Sequence, residues 1–323
     1  MAISETPLST RTTQLTDIVL MVSPDSFGFN DQTASTNTFQ SKLSPDSGEI
    51  CHKAMTEFNT VVDLLRGNGI KVVVCPSRTG VNTPDAVFPN NWISFHSELD
   101  GIDVILYPML ALNRRAERQL DQVRRLVPWI ATDSSHVLDL TYHEQSGRFL
   151  EGTGSLVFDR RRKVVFAHES ARTSYQVLDD FCAKTGYRPI KFHAYGRGGE
   201  SIYHTNVVMS IGAEFSVVCL DAIRNTQERH SVQGELETLG VEIIPITLNQ
   251  LYSFCGNVLD MQSILGRNRI IMSTTAYDAF TENQKRQLLN HGDIVPVNIP
   301  TIETIGGGSA RCLLAEIFPG KHN

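Results

Sequence analysis

The stretch GSLVFDRRRKVVFAHESARTSYQVLDDFCAKTGYRPIKF, residues 154–192, decides the fold. It reads as one supersecondary unit. Gly154-Ser155-Leu156-Val157-Phe158 is a short apolar strand. Arg160-Arg161-Arg162-Lys163 reads as a solvated hairpin turn, and Val164-Val165-Phe166 as the returning strand. A helix is predicted from Ser174 to Thr185, stopped by Gly186, with a third strand from Pro189 to Phe192. One helix covers only one face of such a sheet, so the unit is not stable alone.

The same order recurs on both sides. Unit one begins at Thr16 to Val22. Its helix, Lys53 to Arg66, carries Met55, Phe58, Val62 and Leu65 at helical spacing, and Ile70 to Cys75 closes it. The polar insert from Phe27 to Glu49 reads as a long loop, of the kind that covers functional sites. Unit two has strands at Asn91–His96 and Asp103–Tyr107 and a helix from Arg114 to Leu126. Unit four has Thr205–Met209, Phe215–Leu220, a helix from Gln227 to Leu239, and Val241–Ile246. Unit five has Asn257–Met261, Ile270–Ser273, a helix from Glu282 to Asn290, and Asp293–Val297. Repetition on this scale predicts α/β units arranged around an axis, strands central and helices outside. An open α/β sheet without symmetry is the alternative. The ring is favoured because the junctions between units carry the unusual residues.

Those junctions are Pro84-Asp85-Ala86-Val87-Phe88-Pro89-Asn90-Asn91, Glu151-Gly152-Thr153-Gly154, Tyr203-His204-Thr205-Asn206, Phe254-Cys255-Gly256-Asn257 and Gly306-Gly307-Gly308-Ser309-Ala310-Arg311-Cys312. In a pseudo-symmetric ring they share one end. A carboxylate, an imidazole and a thiol would then converge, which is the set needed for thiol nucleophilic catalysis. Each has a plainer reading: Glu151 as a loop acid, His204 as a strand-edge histidine, Asp85 as the start of an Asx-turn, Cys312 as an inert core thiol. Their shared position in the repeat favours the joint reading. Cys255 is a rival thiol, ranked below Cys312 because the other junctions place amides there.

Composition narrows the class. A net charge of −6 and a pI near 5.9 argue against a nucleic-acid partner, since phosphate binding needs a basic face. Met1 to Thr16 is polar, without the apolar core of a signal peptide, and no apolar run approaches a membrane span. Residues 1–15 are expected to be disordered or extended, and 16–323 to form a single catalytic domain. Cysteines at 51, 75, 182, 219, 255 and 312 form no C-x-x-C pair and suit reduced thiols in a cytoplasm. With no H-E-x-x-H or paired Cys/His spacing, neither a metal nor a cofactor is expected. A homodimer is left open.

At these junctions the sequence resembles the guanidino-group-modifying superfamily: arginine deiminases, dimethylarginine dimethylaminohydrolases, succinylarginine dihydrolases and amidinotransferases. The branch most resembled is the bacterial amidinotransferase-like one called citrulline-utilisation hydrolases. The stretches carrying the likeness are FPNNW (88–92), NRRAER (113–118), EGTG (151–154), ARTS (171–174), YHTNV (203–207), GN (256–257) and GGGSARC (306–312). It runs over nearly the whole chain from about Thr16. The resemblance implies a five-bladed α/β propeller, the pentein fold. It implies Cys312 as nucleophile, His204 as general acid and base, and Glu151 as the catalytic carboxylate. It implies further that Asp85, Asn90, Asn91, Asn206 and Asn257 meet the substrate and that Arg172 holds its α-carboxylate. Of Arg114 and Arg115, Arg115 is carried as a substrate-binding candidate, against the simpler reading of both as a solvated first helical turn.

Three departures bear on the substrate. Relatives carry an aspartate where this chain has Asn91, another where it has Asn206, and a third where it has Gly154. A guanidinium prefers bidentate carboxylates, whereas amides both donate and accept. The expected activity is hydrolysis of a C–N bond in an arginine-related compound through a covalent cysteine intermediate. A neutral ureido compound such as citrulline, or a guanidine held mainly by Glu151 and Asp85, both fit. An amidinotransferase and a non-catalytic pentein binding protein are the alternatives.

Overall fold

Fifteen strands fall into five three-stranded sheets in the computed structural model, which describes residues 14–42, 47–127 and 136–319. In chain order the strands are β1 (Ile18–Val22), β2 (Lys71–Cys75), β3 (Ile93–Phe95), β4 (Val104–Leu106), β5 (Val137–Asp139), β6 (Val157–Asp159), β7 (Val164–His168), β8 (Arg188–Phe192), β9 (Met209–Ile211), β10 (Phe215–Val218), β11 (Glu242–Pro245), β12 (Leu259–Met261), β13 (Arg269–Ser273), β14 (Asp293–Val297) and β15 (Ala315–Glu316). The sheets are β15-β1-β2, β3-β4-β5, β6-β7-β8, β9-β10-β11 and β12-β13-β14. In each, the middle strand pairs antiparallel with one neighbour and parallel with the other. Parallel neighbours need a crossover, and a helix supplies it each time: Ser47–Gly67, Leu120–Leu126, Tyr175–Thr185, Thr226–Thr238 and Glu282–His291. Middle strands β1 and β7 are buried along their whole length, which is why they read as unbroken apolar runs. The single open sheet weighed from sequence is thereby replaced by five separate ones.

The structure differs from the sequence reading in several places. Unit one takes its antiparallel strand from the other end of the chain, where β15 places Leu20 opposite Ala315. Unit two has a third strand, β5, that was not predicted. The helix expected from Arg114 to Leu126 is two pieces, Leu112–Arg115 and Leu120–Leu126. The break lets Arg114 and Glu117 both turn inward and pair. A helix at Thr274–Ala279 follows β13 where none was expected. Arg160, expected in a solvated turn, is buried: it pairs with Glu98 at 3.1 Å and lies 4.1 Å over the Phe318 ring. The N-terminal segment expected to be extended lies outside the described residues up to position 13. Gln14 already packs into the fold, donating to Phe158 O at 2.8 Å.

The junctions expected to open strands are single helical turns instead: Pro89–Asn91, Gly152–Ser155, Thr205–Val208 and Ala310–Leu313. The fifth, around Phe254, is a tight turn with positive φ at that residue. These turns touch one another. Thr205 Oγ1 donates to Ser155 O at 2.6 Å, Asn257 Nδ2 to Asn206 O at 3.1 Å, and Arg311 N to Asn257 Oδ1 at 3.0 Å. The turn at Ala310–Leu313 packs on that at Pro89–Asn91.

Gly152 makes the remaining contact possible. Its φ is +45°, and a Cβ there would lie 2.2 Å from Asn90 O. Gly152→Ala is expected to cost about 3 kcal/mol, from backbone strain plus an overlap that only backbone movement relieves. Gly147→Ala is the control, since its φ of +63° is similar but its surroundings are open. It should cost about 1 kcal/mol. Urea unfolding of the pair checks this, and equal losses would remove the contact argument.

Candidate active site

Three of the junctions and the ARTS stretch converge on a narrow cavity lined by Cys312, His204, Asn91, Asp85, Arg114 and Arg172, with Glu151 behind His204. Cys312 sits in the turn after the three glycines. Asn257 Nδ2 lies 3.4 Å from its Sγ and Asn206 Nδ2 3.7 Å. His204 immediately precedes its helical turn, and its Nε2 meets Glu151 Oε2 at 2.9 Å. Glu151 also accepts from Leu110 N at 3.1 Å. Arg172 Nη1 and Arg114 Nη1 approach the same Oε2 that meets His204, at 3.6 and 3.7 Å. Segment 27–42 lies over the cavity. Asn30 Nδ2 donates to Asp85 Oδ2 at 2.7 Å, Arg172 Nη2 to Thr36 Oγ1 at 2.9 Å, and Asn37 Nδ2 to Gly307 O at 3.1 Å.

Electrostatics fix the resting protonation state. Burial alone would raise the Glu151 carboxyl, but Arg172, the His204 hydrogen bond and Arg114 outweigh it and hold it at about 2. Burial lowers the His204 imidazole to about 4, against the pull of Glu151. The carboxylate is therefore ionised and the imidazole neutral, with its proton on Nε2. Burial also pushes the Cys312 thiol up, opposed by the Ser309 and Asn257 contacts and by Arg311. The resting thiol is protonated.

Several polar atoms here are buried without a partner: Asp85 Oδ1, Asn91 Nδ2 and Asn206 Oδ1, with Asn90 Oδ1 nearby. Buried polar atoms are nearly always paired, so such a cluster marks a place where a ligand completes the set. The Asn91 amide is oriented by Arg114, which donates to its Oδ1 at 2.8 Å and leaves Nδ2 free.

The structure brings Cys312, His204, Glu151, Asp85, Asn91, Arg172, Asn206 and Asn257 together. Two expected residues stand elsewhere. Asn90 turns away to Thr153, at 3.2 Å, because the glycine turn at 152 packs against its backbone. Arg115 lies outside the cavity, half-buried, bonded to Met109 O at 3.0 Å. Arg114 takes the place expected for it. It is fully buried and forms a bidentate pair with Glu117 at 2.9 Å twice. The sequence reading had segment 27–42 only as part of a loop of the kind that covers functional sites, and it gave no role to Glu117 or Tyr203. The one available signal was the Arg–Glu pair three apart in NRRAER. Cys255 does not reach the cavity: its thiol faces Ala276 O at 3.4 Å, and burial raises it to about 12. The missing carboxylate at Gly154 has a steric cause, since a Cβ there would lie 2.7 Å from the His204 ring. Among the described residues no group of three or more His, Cys, Asp or Glu could hold a metal ion, and no helix is long and apolar enough to cross a membrane.

The chain is similar to known proteins in family and fold. The profile of the family described as N,N dimethylarginine dimethylhydrolase, eukaryotic, matches residues 23–319. A search of curated proteins returns no match. Among solved structures, unliganded ArgZ, an arginine dihydrolase from the ornithine-ammonia cycle in cyanobacteria, superposes with a TM-score of 0.71 at 16% identity. The alignment covers 93% of this chain and 40% of ArgZ. The N-terminal domain of ArgZ bound to its substrate gives 0.68 at 15% identity, covering 94% of this chain and 98% of the domain. A dimethylarginine dimethylaminohydrolase variant, solved as an adduct with S-methyl-L-thiocitrulline, gives 0.62 at 14% identity over 94% and 100% of the chains. These structural likenesses are likenesses of fold. The fold and the family match together define a member of the pentein, guanidino-group-modifying superfamily. Within it, the chain belongs to the N,N-dimethylarginine dimethylhydrolase family.

Proposed function

We propose that this protein is a thiol-dependent hydrolase of a C–N bond in a guanidino or ureido compound related to arginine. The observation that carries the reading is the cluster of unpartnered buried polar atoms beside Cys312, His204 and Glu151. We read the five sheets as blades of a closed ring within one domain, residues 16–323, supported by the contacts between successive junction turns.

In the proposed mechanism the Cys312 thiol gives its proton to the free nitrogen of His204, and Sγ bonds to the central sp² carbon of the substrate. The departing nitrogen takes that proton from His204 as the C–N bond breaks. Water then adds to the thio-intermediate, losing a proton to His204, and the C–S bond breaks as the thiol is restored. Glu151 balances the imidazolium formed at each stage. Arg172 holds the α-carboxylate, and Asp85 faces the ureido or guanidino end.

The free atoms favour a ureido end group. Asp85 Oδ1 and Asn206 Oδ1 accept, whereas Asn91 Nδ2 donates and its orientation is fixed by Arg114. A ureido group offers N–H donors and one carbonyl oxygen, which uses all three. A guanidinium has no acceptor for Asn91 Nδ2. Product analysis with arginine, methylarginines, succinylarginine, agmatine and citrulline is expected to show citrulline turned over with at least ~10-fold higher kcat/KM than arginine, about 1.4 kcal/mol of discrimination. Preference for arginine or a methylarginine would exclude the ureido reading and leave the hydrolase. Transfer to glycine or ornithine in place of water would make it an amidinotransferase. No turnover of any compound would favour a binding protein.

A further inference from the structure

The imidazole of the site is carried by a loop, His193 to His204, that contains Gly196, Gly198 and Gly199. The loop leaves β8 and folds back on itself. Ile202 N donates to Ala194 O at 3.1 Å and Gly196 N to Glu200 O at 2.8 Å, so Ala194 and Ile202 form its neck. A glycine-rich loop gives no rigidity of its own. Ser170 Oγ donates to Tyr203 O at 2.8 Å and Tyr195 N to Ala222 O at 2.9 Å, and both strands of the neck are bridged by His168, the fully buried last residue of β7.

Ala194 N donates to His168 Nδ1 at 2.9 Å, and His168 Nε2 lies 2.6 Å from Ile202 O. A ring nitrogen that accepts from a backbone N–H carries no proton, and one that faces a carbonyl must donate. The ring is thus fixed as one neutral tautomer bridging both strands of the neck. The backbone N–H of His168 donates to Thr205 Oγ1 at 2.9 Å, and that hydroxyl donates onward to Ser155 O. His168 therefore holds the chain two residues before His204 and one residue after it. It also ties the His204 turn to the turn that begins at Glu151.

We propose that His168 is a positioning residue for His204, setting the backbone from which the His204 imidazole meets Glu151. Burial lowers the His168 ring to about 4, which keeps it neutral in this bridging role through the ordinary working range. The consequence for turnover rests on the reading of His204 as general acid and base. The positional claim does not.

The test compares wild type with His168→Asn and His168→Gln. An asparagine oxygen reproduces the acceptor for Ala194 N–H but does not reach Ile202. A glutamine amide reaches the Nε2 position and donates to Ile202 O. The direct readout is the NMR signal of the His204 Nε2–H proton held by Glu151, assigned by its absence in His204→Asn. We expect it in wild type and His168→Gln, and broadened or lost in His168→Asn. With a turned-over substrate, His168→Asn should lower kcat about 10-fold with KM within twofold, and His168→Gln should recover most of kcat. The proposal is overturned if His168→Asn keeps the proton signal, or if both variants lose kcat equally and in step with thermal stability. If wild type turns over nothing, the hydrolase reading fails while the proton signal still decides the role of His168.

Discussion

Cys312→Ser is expected to lower kcat by about 10⁴-fold or more, because a serine hydroxyl in this buried site is not ionised at neutral pH and has no comparable nucleophilicity. The fold should survive. The Cys312 sulfur makes only long contacts, 3.4 Å to Asn257 and 3.7 Å to Asn206, so replacing it removes little packing. Melting within a few degrees of wild type is expected, together with retained substrate binding measured by calorimetry. Cys255→Ser is the companion variant and should keep its activity, since that thiol faces Ala276 O away from the cavity. An inert Cys255→Ser beside an active Cys312→Ser would reverse the assignment of the nucleophile.

Glu151→Gln is expected to have the second largest effect, about 10³-fold in kcat and about 3 kcal/mol in stability. Two physical losses combine. In the proposed mechanism the carboxylate stabilises the imidazolium that forms on His204 during each proton transfer, and a neutral amide would do so far less. It is also the shared counter-charge of Arg172 and Arg114, at 3.6 and 3.7 Å, both fully buried. Removing it leaves buried Arg172 with no carboxylate within 4 Å among the described residues, while Arg114 keeps Glu117 and Asp85. Steady-state kinetics and urea midpoints measure the two losses separately. A kcat within threefold of wild type would show that Glu151 only anchors structure.

Most of the strand positions were legible because middle strands buried on both faces are continuous apolar runs, as in Val164-Val165-Phe166. What escaped depended on partners distant in sequence. The two-residue β15 has no pattern of its own and exists because β1 offers an edge. Arg160 belongs to a run of four cations, and local sequence does not say which one turns inward to meet Glu98. Arg114 and Arg115 posed the same difficulty at the site. Adjacent helical residues point about 100° apart, and packing against Asn91 and Glu117, rather than periodicity, selects the one that faces the cavity. The thiol, imidazole and carboxylate were easier to find, because their shared place in the repeat brings them to one end whatever the details of each unit. The helical turns at those junctions were misread as strand because their small and amide residues carry no helical apolar spacing.

The pairing of β15 with β1 also bears on how the molecule is made. Val19 waits as an unfilled edge until Glu316 has been synthesised, so the first sheet is completed only after the strands of the other four have been made. Contacts so distant in sequence carry the greatest loop-closure entropy and form late. Cys312 lies just before that last strand and is delivered to its pocket by the same event. The turns that carry His204 and Glu151 can therefore form in a growing chain well before the Cys312 thiol is delivered to them.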